Sequence, residues 1–387
     1  MIMTRHLPPY SGFEQGPIRP PSEADSLLIR LTRNCPWNHC TFCPVYKGTR
    51  FSLRPADHVK KDIDAIHRCI SLLNDTTDPL RPIPQSRLQD IGHGLPAEDS
   101  AAFRAAYRWY LSGMETIFLQ DANSLIMPSR DIIQILDHIR NRFPWAKRIT
   151  SYARSHTISR IRDNDLSAIR SAGLNRIHVG MESGSDTVLD MVRKGASQKI
   201  HIEAGLKARQ AGFELSEYVM PGLGGRAHSR VHAIETAQSL NRINPDFIRF
   251  RTLAIPDTVP LHEHCKTGRF QKCPDVMVAE EILVLIDHLD RITSVVQSDH
   301  ILNLFGQVNG KLPDDRERML TPLRRFLKME PEDRCLYQAG RRLGLFADLD
   351  DMQRPRRREK VLRFCREAGI TPDNVDQLTD QLMKRFI

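Results

Sequence analysis

The chain has 387 residues, 40% hydrophobic and 27% charged, with a formal net charge of +9. This is the balance of a globular protein with an ample core and excludes a disordered or fibrous chain. No apolar run approaches the roughly 18 residues of a membrane span, and Met1 to Pro21 lacks a signal-peptide core, so a cytoplasmic protein is expected. Eight cysteines in a reducing compartment point to metal binding or isolated thiols, not disulfides.

Residues 1–22 carry Pro8, Pro9, Pro20 and Pro21 with little periodicity and read as an extended arm. Ser26 to Thr32, SLLIRLT, fits a buried strand. It delivers Asn34 to Cys43, NCPWNHCTFC, which places Cys35, Cys40 and Cys43 in one loop. Three clustered soft donors suit an iron–sulfur cluster or zinc. Zinc requires a fourth protein ligand, for which His39 and His58 are the neighbours, whereas a cluster held by three thiolates keeps one iron open. Lys47 and Arg50 follow, either solvated or placed to neutralise an anion.

Pro55 to Leu73 has helical spacing, with Val59, Ile63, Ile66, Ile70 and Leu73 on one face. Asn74 to Glu98 has no period and reads as an insertion that can act as a lid. A helix over Ser100 to Ser112 precedes a strand, Glu115 to Gln120, that runs into Asp121. A helix over Ser129 to Phe143 precedes a strand, Arg148 to Tyr152, that ends near Ser151 and Arg154. Asn175 to Gly180 is a fourth strand and continues as Met181-Glu182-Ser183-Gly184-Ser185-Asp186 into a helix over Thr187 to Arg193, followed by Lys194-Gly195, with Ser185 or Asp186 as its cap. Next come a helix over Lys199 to Gly212, a strand over Phe213 to Met220 and the turn Pro221 to Gly225. A helix over Arg230 to Ile243 leads to a strand over Asp246 to Leu253, where Arg249 and Arg251 are candidates for a substrate carboxylate or phosphate.

Strand and helix alternate six times between about residues 25 and 255, which calls for a parallel sheet. From Pro256 the chain reads as helices without clear strands. Val276 to Val296 is a long amphipathic stretch, followed by helices over Arg316 to Lys328, Pro331 to Gly344, Arg354 to Gly369 and Thr371 to Phe386. Ser298, Asp299, His300 and Asn303 form a polar island, read as a hydrogen-bonded loop or a pocket wall. Arg354 to Lys360 is a basic run, read as a solvated helix start or an RNA-facing patch.

A strand followed by a three-cysteine loop with Phe42 before the last cysteine resembles the entry of the radical S-adenosylmethionine (SAM) superfamily. The spacing here is C-x4-C-x2-C where the family's usual pattern is C-x3-C-x2-C. The stretch from Gly180 to Gly195 is similar to the GxESGSDxVLxxxxKG run of a radical SAM group that includes methylthiotransferases and coproporphyrinogen dehydrogenase-like proteins. The resemblance implies a partial (βα)6 TIM-like barrel over 23–255, with a helical region over 256–387, a 74–98 lid insertion and the 1–22 arm. It also implies a [4Fe–4S] cluster on Cys35, Cys40 and Cys43, with SAM on the open iron. By the same resemblance Asp121 accepts from the SAM ammonium, Ser151 and Arg154 meet its ribose or carboxylate, Glu182 accepts from ribose hydroxyls or the ammonium, and Lys194 reaches the carboxylate. The implied activity is reductive cleavage of SAM to a 5′-deoxyadenosyl radical that acts on an unknown substrate, with a reductant such as flavodoxin or ferredoxin; the net charge of +9 permits an anionic substrate without requiring one. No side chain is assigned to the hydrogen-transfer step. Two other readings stay open: an RNA-modifying radical enzyme, and a non-enzymatic zinc protein using Cys35, His39, Cys40 and Cys43.

Overall fold

The computed structural model describes residues 9–74 and 83–384. The start of the expected arm, the 75–82 part of the expected lid and the end of the last predicted helix lie outside the described residues. The fold is α/β, with an eight-stranded, mostly parallel sheet whose strands follow chain order. The chain divides into two compact units: 1–36 with 48–178 and 210–214, and 37–47 with 179–209 and 215–387.

In the first unit β1 (Leu27–Arg30) pairs in parallel with β2 (Thr116–Gln120), and β2 with β3 (Arg148–Ala153). The helix Ala56–Asn74 buries Val59, Ile63, Ile66, Ile70 and Leu73, the face its spacing predicts, and packs on helices Ser100–Leu111 and Ser129–Arg142. Trp109 meets Phe143 edge-on at 5.1 Å in this core. Burying such apolar faces is the main favourable term in assembling the layers. Described residues of the arm are held by charge: Glu14 pairs with Arg30 at 2.7 Å and Arg33 at 2.8 Å, and the Tyr10 hydroxyl donates to Asp62 at 2.9 Å. A helix, Gln85–Gly94, stands inside the stretch read as aperiodic. Leu88 and Ile91 share one face there, and Ile91 is buried.

Strands β4 (Arg176–Glu182) and β5 (Glu214–Val219) both run into the second unit. There β5 pairs in parallel with β6 (Phe247–Phe250). The sheet then continues past residue 255, against the expectation of helices only: β7 (Val295–Gln297) lies parallel to β6, and β8 (Gly310–Lys311) is antiparallel to β7. The long amphipathic stretch is a helix only over Asp275–Asp287. Its β-branched tail, Ile292 to Val296, takes the open edge of β6, because a short apolar run adopts whichever element tertiary pairing offers. Helices Gly225–Ile243 and Asp275–Asp287 pack together, and Arg342 on helix Pro331–Arg342 pairs with buried Asp275 at 2.9 Å.

Candidate functional site

The cysteine loop is stapled at its base by an antiparallel ladder in which Thr32 faces Leu53 and Arg33 faces Ser52. Asn34 and Asn38 take left-handed backbone angles, φ 67° and 49°, which asparagine tolerates. The Asn34 side chain donates to the Arg50 carbonyl at 2.5 Å, and the Asn38 side chain to the Tyr46 carbonyl at 2.6 Å. Lys47 donates to the Asn38 carbonyl at 2.9 Å, so it shapes the loop. His39 is exposed and stacks edge-on with Trp37 at 4.9 Å.

Among the described residues no disulfide forms, and Cys35, Cys40 and Cys43 are half-buried. The remaining cysteines differ in chemistry. Burial pushes Cys69 and Cys335 up to about 11 and Cys273 to about 12, and it raises Cys265 and Cys365 as well. A thiolate is the metal-binding form, so these five thiols are poor ligands. Among the described residues no three His, Cys, Asp or Glu side chains are gathered as a ready-made ion site. The donor set itself fits an iron–sulfur cluster: three accessible sulfurs on one short loop.

In the first unit, Asp121 is 1% exposed, pairs with Arg30 at 2.6 Å and accepts from the Asn34 backbone N–H at 3.3 Å. Its carboxylate therefore braces the residue just before Cys35. Ser151 is buried and donates to the Leu119 and Tyr152 carbonyls at 3.3 and 3.2 Å. The Arg154 backbone N–H donates to Asn123 at 3.0 Å, and Asn123 donates to the Thr157 hydroxyl at 2.8 Å. Asn123, buried at the end of β2, thus ties that end to the turn after β3, and neither its burial nor its bridging role is legible in QDAN.

In the second unit, Glu182 closes β4 with φ 66°, and its carboxylate lies 3.1 Å from the Lys194 ammonium. The four residues from Val192 to Gly195 grip the cysteine loop. The Val192 carbonyl accepts from the Thr41 N–H at 3.0 Å, and the Arg193 carbonyl from the Trp37 indole N–H at 2.8 Å. The Lys194 ammonium lies 6.0 Å from the Phe42 ring centre, and Gly195 lies under the Trp37 ring. Glu217, in the middle of β5, is fully buried, neither of its oxygens has a hydrogen-bond partner, and burial pushes its carboxyl well up, opposed by Lys194 and helped by Glu182. The alternation Leu215, Glu217, Val219 puts a carboxylic acid on an apolar face, a signal the strand pattern carried.

The turn after Glu182 is held from behind. The Ser183 hydroxyl bonds His232 Nδ1 at 2.8 Å, and the Gly184 N–H donates to Thr236 at 2.8 Å. A Cβ on Gly184 would lie 2.6 Å from the Glu235 carbonyl oxygen, so only glycine lets the turn meet this helix. The expected cap is corrected: neither Ser185 nor Asp186 caps the helix Asp186–Met191. The Ser185 N–H donates to the Ser183 hydroxyl at 3.0 Å, and Asp186 accepts from the Gln198 N–H at 2.6 Å, at the start of the following helix. The Pro221 to Gly225 glycines serve a tight turn, with the Gly222 N–H donating to Glu281 at 2.6 Å.

Other candidates are used internally. Arg249 is buried and paired with Asp299 at 2.7 Å, and Asn303 accepts from the Thr252 N–H at 2.9 Å, so the polar island is a hydrogen-bonded loop. The basic run is partly neutralised, with Arg354 and Arg357 on Asp351 at 3.1 and 2.6 Å and Arg358 on Asp333 at 3.3 Å. No helix among the described residues is long and apolar enough to cross a membrane.

The family model of the radical SAM superfamily matches residues 99–236. The heme chaperone HemW of Bacillus subtilis (strain 168) is 22% identical over 179 residues, 46% of this chain and 46% of that protein. The chain thus spans about half the length of this curated relative. Among solved structures, coproporphyrinogen III oxidase (HemN) from Escherichia coli is similar over 68% of this chain and 52% of that one, with 15% identity and a TM-score of 0.45. Elp3 of the archaeon Methanocaldococcus infernus is similar over 52% of this chain and 53% of that one, with 16% identity and a TM-score of 0.41.

Proposed function

We propose that this chain is an enzyme of the radical SAM class in which Cys35, Cys40 and Cys43 hold a [4Fe–4S] cluster at which SAM is reductively cleaved. The observation that carries the reading is the grip of Val192 to Gly195 on Trp37, Thr41 and Phe42: the two motifs quoted from the sequence meet in space. When bound, the cluster supplies the electron that splits SAM into methionine and a 5′-deoxyadenosyl radical. The three thiolates are donated by a loop braced at Asn34 by Asp121 and clasped from Thr41 to Val192. Lys194, beside Phe42, offers a cation to the SAM carboxylate, and Glu182 offers an acceptor to its ribose hydroxyls or ammonium. Ser151 and Arg154 stand at the end of β3 for the ribose or carboxylate, and Asp121 can take the ammonium by sharing its carboxylate with Arg30. Burial raises the Glu217 carboxyl, with Lys194 opposing and Glu182 reinforcing the shift. A one-electron reductant such as flavodoxin or ferredoxin, an anionic substrate and a cytoplasmic setting complete the proposal. The pairing of the basic run with Asp351 and Asp333 weakens the RNA reading, and the exposure of His39 weakens the zinc reading.

The test is anaerobic reconstitution with iron and sulfide, then incubation with SAM and dithionite, with 5′-deoxyadenosine followed by chromatography. A brown wild type that makes 5′-deoxyadenosine, beside a Cys40→Ala variant that does not, is expected. A colourless, zinc-holding protein that leaves SAM intact overturns the reading.

A further inference from the structure

The second unit contains a cavity of about 550 Å3 that none of the residues proposed above lines. Its lining combines the apolar Ile255, Phe270 and Met383 with the basic Arg226, Lys272 and Lys384. Two of these cations are already matched: Lys272 by Asp380, and Lys384 by Asp257 at 2.6 Å. Arg226 forms no ion pair among the described residues; its Nε donates only to the Lys272 carbonyl, at 3.4 Å. The carboxylates in the small hollow beside Arg226 are engaged elsewhere, Asp275 by Arg342 at 2.9 Å and Asp376 by Gln338 at 3.2 Å. A guanidinium presents a planar fork that fits a carboxylate or phosphate, and a cavity of this size holds a small molecule.

Part of the apolar lining belongs to the core against which the cysteine loop packs. Ile255 and Phe270 belong to one buried cluster with Phe42, Leu253 and Leu261, against which Cys40, Cys43 and Cys265 pack. We propose that the cavity binds a small amphipathic anion, with its carboxylate or phosphate on Arg226 and its apolar body against Ile255, Phe270 and Met383. The site stands on the cavity and its charges, and it does not require the cluster to be correct.

The test uses protein reconstituted with iron and sulfide and, in parallel, protein as purified, with isothermal titration of 4-phenylbutyrate, phenyl phosphate and the neutral 4-phenylbutanol. At least one anion should bind saturably at one site per chain, and the acid or the phosphate binding more tightly identifies the headgroup. The alcohol and Arg226→Gln should each weaken binding at least about tenfold, because a charge-assisted hydrogen bond is lost. Arg226→Lys should recover part of that loss, and circular dichroism should show that the variants are folded. Absence of saturable binding, equal affinity for the alcohol, unchanged affinity in folded Arg226→Gln, or displacement of the probe by SAM overturns the proposal. Since binding is read without SAM turnover, a failure here is distinct from a failure of the radical reading.

Discussion

Gly195→Ala isolates the contact between the two motifs. Gly195 has φ +69°, a conformation that costs a residue with a side chain about 1–2 kcal/mol. Its new Cβ would lie 2.9 Å from Trp37 Cδ2 and closer still to Cε2 and Cζ2. Forcing a methyl into that space costs about 1–3 kcal/mol unless the indole swings away. Swinging away sacrifices the Trp37 N–H bond to the Arg193 carbonyl, a net loss of about 1 kcal/mol. Gly344 is the matched control: its φ is +70°, and nothing stands within 4 Å of its Cβ position. Gly344→Ala should therefore show the backbone cost alone, and the difference between the variants is the packing term. The assay is denaturant unfolding, iron content after reconstitution, and fluorine NMR of protein labelled with 5-fluorotryptophan, with the Trp37 signal assigned by Trp37→Phe. Gly195→Ala should shift the Trp37 resonance and lower retained iron, whereas Gly344→Ala should do neither. A Gly195→Ala protein with the wild-type Trp37 resonance and full iron would refute the claim that this glycine seats the cysteine loop.

Three further outcomes follow from the same geometry. Arg54 and Asp62 form a buried pair at 2.6 Å, so Arg54→Met should destabilise the protein by about 3–5 kcal/mol, with part recovered in Arg54→Met/Asp62→Asn; a loss below about 1 kcal/mol would mean the pair is solvated. Burial raises the Glu217 carboxyl, with Lys194 opposing and Glu182 reinforcing the shift. The proton is therefore held more tightly in the folded state, and the stabilisation, full below the ordinary glutamate range, is lost as pH rises through the raised value. Glu217→Gln should thus gain melting temperature relative to wild type as pH rises, and a difference that does not change with pH counts against the buried acid. In cluster-free protein at mildly alkaline pH, iodoacetamide should label Cys35, Cys40 and Cys43 well before Cys69, Cys273 and Cys335, whose thiols burial pushes up to about 11, 12 and 11 in that order. Peptide mass mapping reads the order, and early labelling of Cys273 would contradict its burial.

Much of the scaffold was written in local pattern. The period of Val59, Ile63, Ile66, Ile70 and Leu73 marks a helix face, and the apolar runs at Leu27 and Ile117 mark strands, since each depends only on residues a few positions apart. The cysteine spacing and the Glu182 to Gly195 run likewise announce their chemistry through residue type and order. The partners are another matter. That Asp121 takes Arg30, that Arg249 takes Asp299, and that Ile292 to Val296 leaves its helix for the edge of β6 all join residues about 45 or more positions apart. Nothing in the local sequence distinguishes a carboxylate waiting for a ligand from one already neutralised. Glu217 is the clearest case: its letter was visible in ELSEYV, but its protonation depends on being enclosed beside Lys194 and Glu182. Residue type and spacing thus define which groups are available, whereas burial and long-range pairing define which of them still have charge to offer, because desolvation and neutralisation are properties of surroundings that only the folded chain assembles.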